Sequence, residues 1–586
     1  MKRKFVILFV IAVLLSSVTN AQLNKSWDKI IGSRDQDFLA AAKPTKDGGY
    51  ILAGISYGSS KGGDKTSNTY GGSDIWIVKL KSNKKDIEWQ QSYGGNKDEG
   101  HYWGVDIEQT SDGGYILGSS STSGISGNKQ TPNKGQNDYW VIKLNPLGSK
   151  VWEKDFGGTG SDVLKCVKQL PDKTYLIGGY SNSPVCPDKS ASAWGVINAP
   201  DYWVLRLDIN GNKLADNIYG GDLSDDLKEI VVIDNDNIFL CGTSDSHTLS
   251  GTKTAESKGG YDYWIIKINS NLAQFYDFSF GGAEDDHLTT AMKTKTGLLM
   301  FGGYANSNIS GDKTEDNRDN SLQTDDIWVV LSDDGGGIVW DKTLGVESGE
   351  GLGDIQETKN GSFLLAGWSS SFNFGPGTDK SQPNIGNNGK SDIWLIKLNQ
   401  NGSKVWDQTI GTKDVDRPVS ICISNSTTST SDDQLFIAGD TDDIISLKAP
   451  NNDRSVWGRG LYDYWISLWT SSSTNGLSLI NNPIADNSIK GTKNIPEFKL
   501  YPCYPNPAGN TTQIKYSLPN LSKVKIQMLD MYGREIEILK DAIQETGEYV
   551  YSINTLKYKS GSYTIKIAAV IRDKIIEKSL KLIVTH

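Results

Sequence analysis

One heptapeptide constrains this chain more than any other feature. Asp138-Tyr139-Trp140-Val141-Ile142-Lys143-Leu144 has close copies at Asp74-Ile75-Trp76, Asp201-Tyr202-Trp203, Asp262-Tyr263-Trp264, Asp326-Ile327-Trp328, Asp392-Ile393-Trp394 and Asp463-Tyr464-Trp465. Successive Trp positions differ by 64, 63, 61, 64, 66 and 71. Seven copies at one period define a repeat architecture, in which each unit buries its faces against its neighbours.

The unit is legible between Trp89 and Trp152. Gln91–Gly95 ends one strand, Gly104–Thr110 forms a second, and Ser111-Asp112-Gly113-Gly114 supplies the φ angles of a tight reversal. Tyr115–Ser120 is the next strand, and a long polar loop leads to Tyr139–Leu144. Asn145-Pro146-Leu147-Gly148 then turns the chain into Val151-Trp152. Period two puts Trp140, Ile142 and Leu144 on one face and Tyr139 and Val141 on the other. Both faces are apolar, so each small sheet needs cover on both sides. Radial stacking supplies it, and a seven-bladed β-propeller of four antiparallel strands per blade is expected over residues 22–471. The lysine three residues after Trp (Lys79, Lys143, Lys267 and Lys397, with Arg206 as a variant) is expected to snorkel from a strand end.

The array begins with a fourth-strand sequence, Ser26-Trp27-Asp28-Lys29-Ile30-Ile31-Gly32, that has no blade before it. It stops after the third strand at Trp465. The N-terminal strand therefore completes the last blade, closes the ring and removes two edges.

Lys2-Arg3-Lys4, the apolar run Phe5–Leu15 and Thr19-Asn20-Ala21 make residues 1–21 a signal peptide, cut before Gln22. That run is too short to span a bilayer, so an integral membrane protein is not expected. Net charge is −10, from 70 acidic and 60 basic side chains, and no basic stripe offers a nucleic-acid footprint. The five cysteines form no CxxC or zinc spacing, and three sit in apolar strands as small hydrophobes. Outside the cell a disulfide is open, without a pairing the sequence can assign. Residues 472–497 read as a flexible linker. Residues 498–586 hold about seven strand-like runs, an immunoglobulin-like β-sandwich in size and pattern.

That tail resembles the C-terminal sorting domain of type IX secretion substrates. The matching stretches are Tyr504-Pro505-Asn506-Pro507, Ile514–Pro519, Met531-Tyr532-Gly533-Arg534-Glu535, Ser560-Gly561-Ser562-Tyr563 and Lys581–Val584. Pro505, Asn506, Pro507, Gly533, Gly561 and Tyr563 carry the motif. The resemblance implies export through the type IX machinery, with the passenger released or attached to the outer cell surface. The repeats resemble secreted propellers that carry such tails, which implies a fold and no reaction.

Motifs with chemical meaning are sparse. Gly54-Ile55-Ser56-Tyr57-Gly58 matches a nucleophile elbow but lies in a repeated strand with no helix after it. Thr45–Gly49 and Thr110–Gly114 resemble the start of a sialidase Asp-box without its closing Thr-Trp, and the arginines, Arg318 and Arg459 among them, fall at unrelated repeat positions. Asp208–Asn212 is a turn more than a calcium loop. Asp225-Asp226 and Asp285-Asp286 read as solvated loop or cap. No catalytic or metal constellation emerges, and no cofactor is expected.

Meander geometry places the loop after strand two and the inter-blade link on one face. From the Gly ending strand two to the Asp of the Trp motif the offsets are 20, 20, 23, 20, 24, 25 and 24 residues, whereas the opposite turns are minimal. Long loops on a regular scaffold suit recognition, though they can also simply pack over the rim. Irregular aromatics there are the candidate ligand contacts: Tyr57, Tyr70, Trp194, Phe372, Phe374 and Trp457, with His101 and Trp103 on a link. The expected function is a secreted or surface-displayed, non-enzymatic binding or adhesion protein taking a glycan or protein ligand. A glycan-active hydrolase or lyase and a purely structural surface component stay open.

Overall fold

The computed structural model describes residues 23–57, 62–100, 104–196, 198–247, 249–319, 324–372, 374, 378–385, 389–424, 434–442, 459, 462–471, 498–500, 503, 508, 511–518, 522–530, 534–544, 547–571 and 574–585. The leader, the linker, His101, Trp103, Trp457, Pro505, Asn506, Pro507 and Gly533 lie outside them. Among the described residues there is no helix, and none is long and apolar enough to cross a membrane.

Repeated four-stranded antiparallel sheets fill residues 23–471 in a propeller-like succession. The first is the meander Asp37–Pro44, Tyr50–Tyr57, Ser73–Leu80 and Ile87–Tyr93. The next five begin at Val105, Asp162, Asp225, Asp286 and Glu350 and repeat its order. The seventh takes Asp416–Ser424, Gln434–Asp442 and Tyr462–Ser471 from the end of the array, and its fourth strand is Leu23–Ile31 from the beginning. First strands of neighbouring sheets touch in chain order, and that of the seventh touches that of the first.

Side chains explain why the sheets stack. All seven motif tryptophans are at most 2% exposed. Trp140, Ile142 and Leu144 enter one core cluster and Tyr139 and Val141 another, the two-faced burial that period two implies. Across four of the interfaces an aromatic pair adds a directed contact, and Ile75, Ile327 and Ile393 stand in place of the tyrosine in the other three sheets. Tyr139, Tyr202 and Tyr263 lie 4.8–4.9 Å from Trp203, Trp264 and Trp328 of the following sheet, each donating its hydroxyl to that Trp carbonyl. Tyr464 of the seventh sheet makes the same bond to Trp76 of the first.

The borrowed strand is equivalent in detail. Indole Nε1 groups of Trp140, Trp264, Trp328 and Trp394 donate to fourth-strand acids Glu153, Asp277, Asp341 and Asp407 at 2.8–3.1 Å. Trp465 donates to Asp28 on the N-terminal strand. Lys25 pairs with Asp28 three residues on, as Lys150 does with Glu153 and Lys404 with Asp407.

The tail forms two antiparallel sheets around one core. Lys499–Leu500, Thr511–Leu518 and Gly547–Asn554 make one; Ser522–Leu529, Glu535–Gln544, Gly561–Ile571 and Lys574–Val584 make the other. Gly561 opens a strand of the second sheet, and Tyr563 packs partly buried against the shared core.

Candidate functional site: the loop face

Under the long loops runs a polar row that repeats from sheet to sheet. Asp37, Ser56 and Asp74 sit side by side on three strands, as do Asp162, Ser181 and Asp201, and Asp225, Ser244 and Asp262. The first-strand acid caps the Gly-Gly link: Asp162 accepts from Gly158 N, Asp225 from Gly221 N and Asp286 from Gly282 N. Asp225 and Asp286 are buried, so of the expected solvated loop or cap the structure has the cap, and it is not solvated. Ser56 is buried too and accepts from Lys65 Nζ, which leaves no exposed nucleophile at the elbow-like sequence.

The motif Asp accepts a backbone N–H from its own loop, as in Lys258 N to Asp262 at 2.7 Å. Its other oxygen has no hydrogen-bond partner in Asp74, Asp262 and Asp326. That oxygen faces a link glycine: a Cβ on Gly94, Gly281 or Gly345 would lie 1.8–2.0 Å from it. The glycine therefore presents a Cα–H where any other residue would clash. Burial raises the carboxyls of Asp262 and Asp286 to about 7 and of Glu350 to about 8. A buried lysine lies over the row in six sheets: Lys65, Lys129, Lys189, Lys253, Lys313 and Lys380. Burial lowers Lys313 and Lys380 to about 8.

On the opposite face the Lys after the motif Trp does not snorkel. Lys79 bonds Asp47 at 2.7 Å and Lys143 bonds Asp112 at 3.0 Å, both in Asp-Gly-Gly turns, and Arg206 reaches Asp172. Asp208 accepts from Asn210 N and Asn212 N, so that stretch is a turn.

One loop residue donates its N–H to the motif Asp, and in several sheets its side chain forms a latch to the next sheet. It is Tyr70, Lys134, Trp194, Lys258, Arg318, Ile385 or Arg459. Lys134 pairs with Asp188 at 2.5 Å, Arg318 with Asp379 at 2.7 Å and Arg459 with Asp64 at 3.1 Å. Tyr70 and Trp194 instead lie against Gly127 and Gly251, where the neighbouring turn carries Asn128 or Thr252 in place of Asp. Two aromatics read as irregular thus share one repeat position, and so do Arg318 and Arg459. Variable spacing to the motif Asp hid this: 4 residues from Tyr70, 7 from Trp194 and 8 from Arg318.

Of the other candidates, Tyr57 is exposed and packs edge-on against Phe38, Phe374 is exposed and Phe372 half-buried. Among the described residues the structure does not gather the candidates into one pocket. It also holds a ring cluster that the sequence did not mark: His287 lies tilted at 4.8 Å from Tyr261 and 5.1 Å from Tyr304. Burial lowers the His287 imidazole below its ordinary value. Register pairs His287 with Tyr304, a relation that alignment of the repeats could have exposed. Among the described residues no three His, Cys, Asp or Glu converge as metal ligands, and all five cysteines are unpaired.

Residues 502–584 match the secretion system C-terminal sorting domain family. The tail is thus that of a type IX secretion substrate, secreted or attached at the cell surface. No curated protein matches the chain. Among solved structures it is similar to a puromycin hydrolase (9% identity, TM-score 0.38), covering 82% of this chain and 58% of that one. An apocarotenoid oxygenase of Synechocystis has 10% identity and TM-score 0.32 over 78% and 98% of the two chains. PorZ of Porphyromonas gingivalis, described as an essential surface component of the type IX secretion system, has 9% identity and TM-score 0.16 over 94% and 87%.

Proposed function

We propose that this type IX secretion substrate is a non-enzymatic binding or adhesion protein. Its seven sheets make a closed seven-bladed propeller, and its loop face takes a glycan or protein ligand. The ring reading is supported by the strand Leu23–Ile31 in the seventh sheet and by the Tyr464–Trp76 bond. One observation carries the binding reading. Four successive loops present an aliphatic side chain at the same position, four residues before the buried lysine: Ile125, Val185, Leu249 and Ile309, each 59–79% exposed. Exposed aliphatics kept at one place on a regular scaffold, with a solvated polar surround, fit an interaction surface better than a packed rim.

The test is a screen of the exported full-length chain against glycan and matrix-protein arrays, beside hydrolysis assays. Saturable binding without turnover is expected. Joint replacement Ile125→Ser, Leu249→Ser and Ile309→Ser should weaken it by roughly tenfold or more, whereas Leu147→Ser on the turn face should not. Product formation would overturn the non-enzymatic reading. The reverse pattern of variants would overturn the choice of face.

A further inference from the structure

The junction between the third and fourth sheets departs from the others in several ways that meet at one spot. Its latch is Trp194, and its turn partner is Thr252, which accepts no cation but still donates to the link through Gly220. The indole lies over the turn at Gly251, where a Cβ would meet Trp194 Cγ at 3.0 Å. Backbone thus supports one side of the ring, while the residue stays 46% exposed. Trp194 stands seven residues before Asp201, and the added turn brings Val196, 57% exposed, beside it. Val196 N bonds Asp222 O at 3.2 Å, tying this turn to the next link.

Across the junction Leu249 is 79% exposed and holds φ at 58°. Ile125, Val185 and Ile309 share its repeat position without a positive φ. A leucine in the left-handed region is uncommon, and here it sets the Leu249 side chain apart from its repeat equivalents. Beside it His247 Nδ1 lies 2.7 Å from Asp222 Oδ2, and His247 N donates to Asp222 Oδ1 at 2.8 Å. Slight burial pushes Asp222 up, but the bonds from His247 outweigh it and hold the carboxyl at about 2.

We propose that Trp194, Val196, Asp222, His247 and Leu249 form a subsite for one uncharged hexose that carries a methyl-terminated substituent, as an N-acetylhexosamine or a 6-deoxyhexose does. The proposal rests on the loop-face reading and narrows it. The indole stacks on the C–H face of the pyranose. Asp222, oriented by the imidazole, accepts from a sugar hydroxyl or acetamide N–H. Leu249 and Val196 offer hydroxyls nothing, so they gain only by covering a methyl group. The ionised Asp222 disfavours uronates and sialic acids.

The experiment is calorimetric titration of the full exported chain with two matched pairs: chitotetraose against cellotetraose, and 2′-fucosyllactose against lactose. In at least one pair the methyl-bearing sugar should bind about tenfold or more tightly than its match. Trp194→Ala should weaken that binding by roughly tenfold, and Asp222→Asn by about threefold, whereas Arg318→Ala should not change it. Leu249→Ser and His247→Ala alter only exposed side chains and should also weaken it, which guards against misfolding of the Trp194 variant. Binding of neither methyl-bearing sugar, equal binding within both pairs, or a normally melting Trp194→Ala chain of unchanged affinity would each overturn the proposal. A sugar or matrix protein held through other loop residues would sink the subsite and leave the loop-face reading standing. Binding lost only in turn-face variants would sink both.

Discussion

Trp264 and Trp194 are seventy residues apart in sequence, and one repeat period separates their surroundings less than solvent does. Trp264 is fully buried, packed against Tyr202 and bonded to Asp277, and the other motif tryptophans are buried as deeply. Trp194 occupies a position that other sheets fill with Lys, Arg, Ile or Tyr, and nearly half of it meets water. The contrast teaches where repetition is enforced. Inside the sheets every side chain must fit a neighbour made to the same plan, so the plan cannot drift. At the loop position of Trp194 only the backbone bond to the motif Asp is held constant, and the side chain is free to change.

The sharpest way to break this contrast is to remove Leu23–Ile31. The seventh sheet then loses a strand and its Asp28 and Lys25 partners, and melting should fall by roughly 10 °C or more. An unchanged melting temperature would show that the interior does not depend on this strand. Next, Trp264→Ala should cost about 3–5 kcal/mol in urea unfolding, while Trp194→Ala should cost about 0.5 kcal/mol or less. Similar costs at both sites would erase the distinction.

Glycine sharpens it further. Gly281→Ala forces a methyl group to within 1.8 Å of the present position of Asp262 Oδ1 and should destabilise by about 1–3 kcal/mol. Gly124→Ala, in a loop with open space around it, should be neutral or slightly stabilising in the same assay.

The buried carboxyls make the interior sensitive to pH. Asp262, Asp286 and Glu350 keep their protons to about 7, 7 and 8, whereas unfolded carboxyls lose them near their ordinary values. Between those limits the folded state binds more protons, so stability should fall as pH rises from about 4 toward 8. Lys313 and Lys380, lowered to about 8, work the other way above that pH, because the unfolded amines then hold protons the folded ones release. Melting should drop by a few degrees between pH 5 and 8 and recover in part toward pH 10. A flat profile would show that the row does not titrate as its burial implies. A small effect is expected at a charged latch: Arg318→Ala should cost about 1 kcal/mol or less, since its partners are partly solvated.

What the sequence made legible follows the same division. Period-two burial, the hairpin turns, the orphan strand at Trp27 and the sandwich tail all rest on backbone pairing and apolar pattern, which the repeats and the strand-like runs of residues 498–586 display directly. The fate of the charged residues was not. Lys79 looked like a snorkelling side chain because its partner, Asp47, lies 32 residues away across two strands. For Asp225 and Asp286 the sequence offers a loop or a cap but not the burial, because an acid capping a buried glycine link leaves no apolar signature. Tyr70 and Trp194 looked unrelated because the spacing to the motif Asp varies while the hydrogen bond that defines the position does not.

The pairing of Leu23–Ile31 with Tyr462–Ser471 also sets an order of events. Sheets one to six are assembled from strands that follow one another closely, so each can form as soon as its own stretch of chain is free. The seventh must join segments more than four hundred residues apart, and it meets the full entropy of closing that span. It is therefore expected to be the last to form. Until it does, Asp416–Ser424 through Tyr462–Ser471 has an open edge that a second copy's Leu23–Ile31 could occupy, which makes strand exchange between molecules the natural error of this architecture at high concentration.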